Sequence, residues 1–167
     1  MNEAASPLAI KIRPTTSADA DAIARVFLES AEYHARLDPE RYSAPAVETI
    51  SARYREGRQH PRDERSITLV ADVSGEVVGF IDLRLEHSPD PMHREILYCD
   101  IAEFAVSDRH QNQGIGQRLL QAAEEWGRRQ GAEFASLEYH AANSRAGSFY
   151  QQRMGYRPAH IIAIKRL

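Results

Sequence analysis

Cys99 is the only cysteine in 167 residues, which excludes an internal disulfide. Such sparing use of cysteine fits a reducing compartment, so a cytoplasmic location is the expectation. No apolar stretch approaches the roughly 20 residues that span a bilayer, and Met1 to Pro7 lacks the basic flank and apolar run of an export signal. No membrane partner is expected. The histidines run from His34 to His160 without an HExxH pattern or a CxxC companion, which argues against a metal site. Lysine and arginine total 21 against 24 acidic residues, for a formal charge of −3. They are scattered, so the phosphate-tracking stripe of a nucleic-acid binder is missing and no nucleic-acid partner is expected. Neither a Gly/Ser linker, nor a low-complexity segment, nor an internal period divides the chain. One domain over residues 1–167 is therefore expected.

What is present is an ordinary globular balance, 43% hydrophobic and 27% charged, enough to build a core. Leu8 to Arg13 alternates apolar and polar residues as a strand does, and Ser17 offers a helix N-cap ahead of Asp19 and Asp21. Ile23, Val26, Phe27, Ala31 and His34 keep helical spacing until Asp38-Pro39. A second helix is expected from Pro45, with Val47, Ile50 and Tyr54 on one stripe, followed by an exposed polar loop to Arg65. Ile67 to Val73 and Val77 to Leu85 read as a hairpin about Ser74-Gly75. After a loop from His87 to Glu95, Ile96 to Val106 reads as a central strand covered on both faces. A strongly amphipathic helix follows from Gly114 to Gln130, then a strand from Phe134 to His140. Asn143 to Arg153 reads as a short helix stopped at Gly155, and Tyr156 to Leu167 as a final strand. The order implies an α+β or mixed-sheet fold.

The segment with chemical content is strand, glycine turn, helix: Ala102 to Val106, then Gln111-Asn112-Gln113-Gly114-Ile115-Gly116, then the amphipathic helix. A helix start leaves backbone N–H groups without intrahelical partners and carries partial positive charge, so a phosphate can sit there if side chains stay away. Gly114 and Gly116 remove them, and Gln111, Asn112, Gln113 and Gln117 add amide donors. By itself the pair of glycines fits a tightly packed turn equally well. A P-loop would need Gly-Lys-Ser/Thr where Gly116 is followed by Gln117-Arg118, and the dinucleotide fingerprint would need glycine at Leu119.

The pattern Gln111, Gly114, Gly116 resembles the Gln/Arg-x-x-Gly-x-Gly/Ala turn of the GNAT superfamily of N-acetyltransferases. Phe104-Ala105-Val106 stands where that family has a Leu-Ala-Val-like strand end, and Asn143, Ala146, Phe149 and Tyr150 match its Asn-x-x-Ala-x-x-Phe-Tyr signature. One departure is that four residues, Gln151 to Met154, separate Tyr150 from Gly155, where the commonest family form has three. Either the helix holds one extra residue, the preferred reading, or Phe149 takes the tyrosine's place. The resemblance implies a mostly antiparallel central sheet with splayed middle strands and about four helices. It also implies acetyl-CoA as cosubstrate and no metal. Phe104, Ala105 and Val106 would hold the pantetheine arm; Gln111, Asn112, Gln113, Gly114, Ile115, Gly116 and Gln117 the pyrophosphate. Asn143, Ala146, Phe149, Tyr150 and Arg153 would complete the cofactor site.

Acetyl transfer to an amine needs a neutral nucleophile, a donor for the oxyanion and a proton for the departing thiolate. The expected roles are Glu103 as general base, directly or through water, and Tyr150 as general acid. A glutamate in a central strand can equally pair with an arginine or hold the substrate ammonium. The acceptor would be a primary amine of a small molecule or peptide, attacking directly in a ternary complex. Glu29, Tyr33 and His34 are candidate acceptor contacts. An edge strand or the last strand offers a route to a homodimer. A non-catalytic acyl-CoA-binding sensor is the alternative; it would need the turn but neither Glu103 nor Tyr150.

Overall fold

The computed structural model describes residues 9–57, 65–88 and 91–166. Leu8, most of the polar run between Gly57 and Arg65, and Leu167 lie outside the described residues, as do two positions of the His87 to Glu95 loop. The chain forms two compact units, Met1–Leu137 and Glu138–Leu167.

The first unit contains, in chain order, β1 (Ile10–Pro14), α1 (Ala20–Leu37), α2 (Val47–Arg55), β2 (Ser66–Val73), β3 (Glu76–His87), β4 (Leu97–Val106), α3 (Ile115–Arg129) and β5 (Phe134–Leu137). The sheet runs β1-β2-β3-β4-β5. Its first three pairings are antiparallel and β4–β5 is parallel. This is the expected mixed, mostly antiparallel sheet. β5 follows only the first part of β4: the ladder starts at Tyr98–Phe134 and ends at Ile101–Leu137. β5 itself ends there, at Leu137, whereas β4 continues to Val106.

The hairpin forms as expected. Ser74 and Gly75 both take positive φ, 54° and 90°, and Val73 pairs with Glu76 around them. A two-residue turn of that hand matches the right-handed strand twist. The start of α1 departs from expectation. The cap is not Ser17: Asp19 accepts from the Thr16 N–H at 2.7 Å and the Thr16 hydroxyl at 2.9 Å, and a short 3-10 turn over Ser17–Asp19 precedes the helix. Arg13 explains the shift, because it grips both Asp19 oxygens at 2.8 and 2.9 Å while also bonding Asp72. A carboxylate with these donors is a stronger organiser than a serine hydroxyl.

Helices cover both faces of the sheet. Ile23, Ala24 and Val26 of α1 and Ile50 and Tyr54 of α2 form one core cluster with Val70, Phe80 and Ala105. The Tyr54 ring meets Phe80 edge-on with centroids 5.7 Å apart. On the other face lies α3, with Ile115, Leu119, Leu120 and Ala123 fully buried. It sits unusually close to β4, since a Cβ added to Gly127 would come within 2.6 Å of Cys99 Cβ. Close-packed interiors tolerate no such overlap. Cys99 is a buried small side chain, its thiol pushed up to about 12 by burial, then by Asp100 and Glu124. It is no nucleophile.

The second unit contains α4 (Ser144–Ser148), the fourth helix, followed by a π-helical turn over Phe149–Arg153. The expected strand to His140 stops at Leu137. At His140 a turn begins, its carbonyl accepting from Asn143 N–H at 2.8 Å and its Nδ1 from Ala142 N–H at 3.1 Å. The expected final strand does not form over the described residues 156–166. Ile161, Ile162 and Ile164 are 93, 72 and 65% exposed. Branched apolar residues supply strand propensity, but a strand also needs a neighbour for its backbone groups. The described residues of the second unit offer none.

Among the described residues no helix is long and apolar enough to cross a membrane. No group of three or more His, Cys, Asp or Glu side chains there could hold a metal ion.

Candidate active site

The decisive local feature is one extra residue in β4. Asp82 pairs with Glu103, yet the next residue of β3, Leu83, pairs with Ile101, leaving Ala102 as a bulge. Side chains alternate along a strand, so an extra residue transfers everything beyond it to the opposite face. Cys99 and Ile101 therefore point with Leu83 toward α3, whereas Glu103 and Ala105 pair with Asp82 and Phe80 on the α1/α2 face. Without the bulge Glu103 would point at α3.

Glu103 is half-buried there and, among the described residues, makes no hydrogen bond or ion pair. Burial first, and the Asp82 carboxylate second, push its carboxyl above the usual range; Arg53 and Arg84 pull the other way. A carboxylate that is poorly solvated and not consumed by a structural partner is a stronger base than one in water.

Val106 leads into the turn. Ser107 N–H bonds the Val78 carbonyl at 2.8 Å, and a 3-10 turn over Asp108–His110 follows. Gln111 donates its side-chain amide to the Val106 carbonyl at 3.3 Å and to Asp108 at 2.7 Å, and Gln113 donates to the Arg109 carbonyl at 3.3 Å. Both amides thus organise the turn itself. Asn112 and Gly114 take positive φ, 61° and 80°. Asparagine tolerates this region and glycine adopts it freely. A Cβ at Gly114 would meet nothing within 4 Å, so the residue is not glycine for tight packing. Open backbone at a helix start leaves room for an anion. Ile115 is buried in α3, anchoring the first turn, while Gly116 and Gln117 lie in that turn with no acidic residue among them. His110 Nδ1 beside them is buried without a hydrogen-bond partner among the described residues. An open glycine, a helix start and an unsatisfied ring nitrogen fit a phosphate-bearing group.

In the second unit, Asn143 caps α4, its side chain accepting from Ala146 N–H at 3.1 Å. The π-helical turn then absorbs the extra residue before Gly155, with Met154 N–H reaching the Phe149 carbonyl at 3.1 Å. Insertion of a single residue into a helix commonly takes this form. Tyr150 is buried with its ring centroid 5.3 Å from Phe149, 5.4 Å from Tyr139 and 6.1 Å from Tyr156. Burial first, then Tyr139, push its phenol well above the usual range, which already leaves a tyrosine protonated at neutral pH. Arg153 is exposed at the end of the turn.

Of the candidate acceptor contacts, Glu29 accepts from Asp108 N–H at 2.7 Å and the Ser107 hydroxyl at 3.3 Å. It ties α1 to the turn. His34 Nδ1 bonds the Ser30 carbonyl at 2.8 Å, and its ring lies 5.8 Å from Tyr33 and 5.6 Å from Tyr42. Tyr33 and His34 thus belong to an aromatic cluster at the end of α1. Sequence reasoning passed over Asp82, Tyr54 and Thr68, which form a buried hydrogen-bonded group on the face that Glu103 shares. The signal was available: an aspartate amid the apolar run of β3.

Comparisons place this architecture among the acyltransferases. The model of the Acetyltransferase (GNAT) family matches residues 28–156, from the middle of α1 past the π-helical turn, and the chain belongs to that family. It is an N-acetyltransferase dependent on acetyl-CoA. A Bacillus subtilis protein named uncharacterized N-acetyltransferase YhfO is 31% identical over 147 residues, covering 88% of this chain and 89% of that one. The aminoalkylphosphonate N-acetyltransferase of Salmonella typhimurium is 35% identical over 94 residues, 56% of this chain and 58% of that one. Among solved structures, a tetramutant of the BH1408 protein from Bacillus halodurans superposes with a TM-score of 0.84 at 21% identity, covering 94% of this chain and 99% of that one.

Proposed function

We propose that the protein moves an acetyl group from acetyl-CoA to a primary amine of a small molecule or peptide by direct attack in a ternary complex. The observation that carries this reading is Glu103: the bulge at Ala102 turns it to the α1/α2 face, half-buried and uncommitted, two residues before Ala105 and three before Val106. Bound acetyl-CoA supplies an activated acetyl thioester. Val106 and its neighbours Phe104 and Ala105, past the end of the β4–β5 ladder, hold the pantetheine arm by backbone hydrogen bonds. The turn from Gln111 to Gln117 holds the pyrophosphate on the α3 N-terminus, and Asn143, Ala146, Phe149 and Arg153 serve the same cosubstrate.

Glu103 takes the proton that the acceptor amine must lose, directly or through water. Tyr150, a phenol protonated at neutral pH, returns a proton to the departing sulfur. The acceptor is of the general kind named for the Salmonella relative, a small amine. A location in the cytoplasm suits an acetyl-CoA-dependent enzyme with a single buried thiol.

Thiol release from acetyl-CoA, measured with a panel of small amines, aminoglycosides and peptides, tests the reading. Glu103→Gln is expected to lower kcat/KM about 100-fold or more for any accepted amine. A variant with wild-type kcat/KM across the pH range would exclude Glu103 as the base.

A further inference from the structure

Two guanidinium groups flank Glu103, and neither is firmly committed to the protein around it. Arg53 of α2 is partly buried and, among the described residues, makes no hydrogen bond or ion pair. Its guanidinium lies over the Tyr54 ring, 5.8 Å from the centroid. Tyr54 in turn bonds Asp82, the register partner of Glu103, which brings Arg53 to the Glu103 side of the sheet. Arg84 stands two residues beyond Asp82 in β3, and because side chains alternate along a strand it emerges on that same face. Its ion pairs to Glu86 and Asp100 are stretched to 3.9 and 3.7 Å, and its Nε is buried without a hydrogen-bond partner among the described residues. Long, partly exposed pairs hold a guanidinium weakly. A buried donor without an acceptor is rare in folded proteins.

Such a pair works against an amine that carries no other charge. Both cations repel the ammonium form of the acceptor, and both pull the Glu103 carboxyl down, weakening it as a base. An anionic group on the acceptor removes both penalties at once. It also brings the oxygens that a planar fork of N–H donors is shaped to receive, since arginine binds carboxylates and phosphates through paired, charge-assisted hydrogen bonds.

We propose that Arg53 and Arg84 are specificity-determining residues that bind an anionic group on the acceptor, so that the substrate class is small primary amines bearing a carboxylate or phosphate. This rests on the reading that the acceptor amine meets Glu103. The anion and the amine are close together in such a substrate, because both arginines face the carboxyl that takes the proton of the amine.

The test is a matched series of amines of similar basicity: β-alanine and 4-aminobutyrate with a carboxylate, phosphoethanolamine with a phosphate, and n-propylamine and n-butylamine with neither. Thiol release gives kcat/KM for each, and calorimetry on the protein saturated with CoA gives binding without turnover. Wild type is expected to favour at least one anionic amine over the neutral ones about 100-fold, at about tenfold for each charge-assisted contact. Whether carboxylate or phosphate leads identifies the anion. Arg53→Gln and Arg84→Gln are each expected to cut that ratio about tenfold. Arg53→Lys and Arg84→Lys should keep only part of it, since a point charge lacks the fork. Equal kcat/KM for anionic and neutral amines in the wild type overturns the proposal, as does a preference that survives in the double variant of Arg53→Gln and Arg84→Gln. Failure of every anionic amine to bind the CoA-saturated protein overturns it as well, whatever the turnover. Wild-type kcat/KM in Glu103→Gln overturns the base reading instead, while the anion preference is judged separately by the ratio.

Discussion

Glu29, in the middle of α1, accepts a hydrogen bond of 2.7 Å from the backbone N–H of Asp108, which lies between β4 and the glycine turn. An element distant in sequence thereby fixes the approach to the turn. Glu29→Ala is expected to raise KM for acetyl-CoA about tenfold, ~1.4 kcal/mol for a hydrogen bond to a charged acceptor. KM for the amine should hardly move. Steady-state kinetics varying each substrate separately distinguish this from a contact to the acceptor, which would give the reverse pattern.

Gly114 has φ of 80° with open space around it. Gly114→Ala should therefore cost only the conformational penalty of the left-handed region, about 1–2 kcal/mol, and lower Tm by a few degrees. Its effect on the cosubstrate should be larger. Calorimetry is expected to show CoA affinity reduced tenfold or more, because the new methyl enters the cradle. Unchanged affinity in a folded variant would remove the turn from the binding site.

Tyr150 presents a phenol that burial pushes well above its ordinary range. Tyr150→Phe is expected to lower kcat about 100-fold or more while leaving the melting temperature within a few degrees. In the wild type no basic limb from this group should appear near pH 10, the ordinary tyrosine value. A phenylalanine variant with normal turnover, measured by thiol release, would rule out the acid role.

Asp19 sits at about 2, below its ordinary 3.8, chiefly because Arg13 hydrogen-bonds it. A depressed carboxylate stabilises the fold above its unfolded value and loses that stability as pH falls through its folded value. Asp19→Asn is therefore expected to lose about 2 kcal/mol at pH 7, with the gap to wild type closing between about pH 4 and pH 2. Urea unfolding at several pH values measures this. A gap that stays constant to pH 2 would show that the loss comes from packing rather than from the Arg13 pair.

Much of this molecule is legible before folding because its signals are local. The α2 stripe of Val47, Ile50 and Tyr54, the Ser74-Gly75 turn and the strand–glycine–helix passage each depend on residues within a few positions, and each forms where expected. The cap of α1 was misread because its true organiser, Asp19, takes its strength from Arg13 and Asp72, the second of these more than fifty positions along the chain. The last segment misled for the converse reason. Ile161, Ile162 and Ile164 carry strand propensity, but propensity without a neighbouring strand leaves them exposed.

What the sequence by itself determined is a glycine turn from Gln111 to Gly116 between a strand and an amphipathic helix, since residue type and short spacing suffice for that, while Glu103 and Tyr150 became the reactive candidates through their positions in the resemblance to the acetyltransferase family. Tertiary structure alone decided which way Glu103 points. One unpaired residue, Ala102, reverses the alternation of β4, and the strand's sequence does not show it because the bulge exists only relative to β3. The same register sets Asp82 opposite Glu103, and only the packing of α2 brings the Tyr54 hydroxyl to Asp82. The chemistry of a carboxylate depends on what stands within a few ångströms of it, and those neighbours come from strands and helices that the chain brings together only on folding.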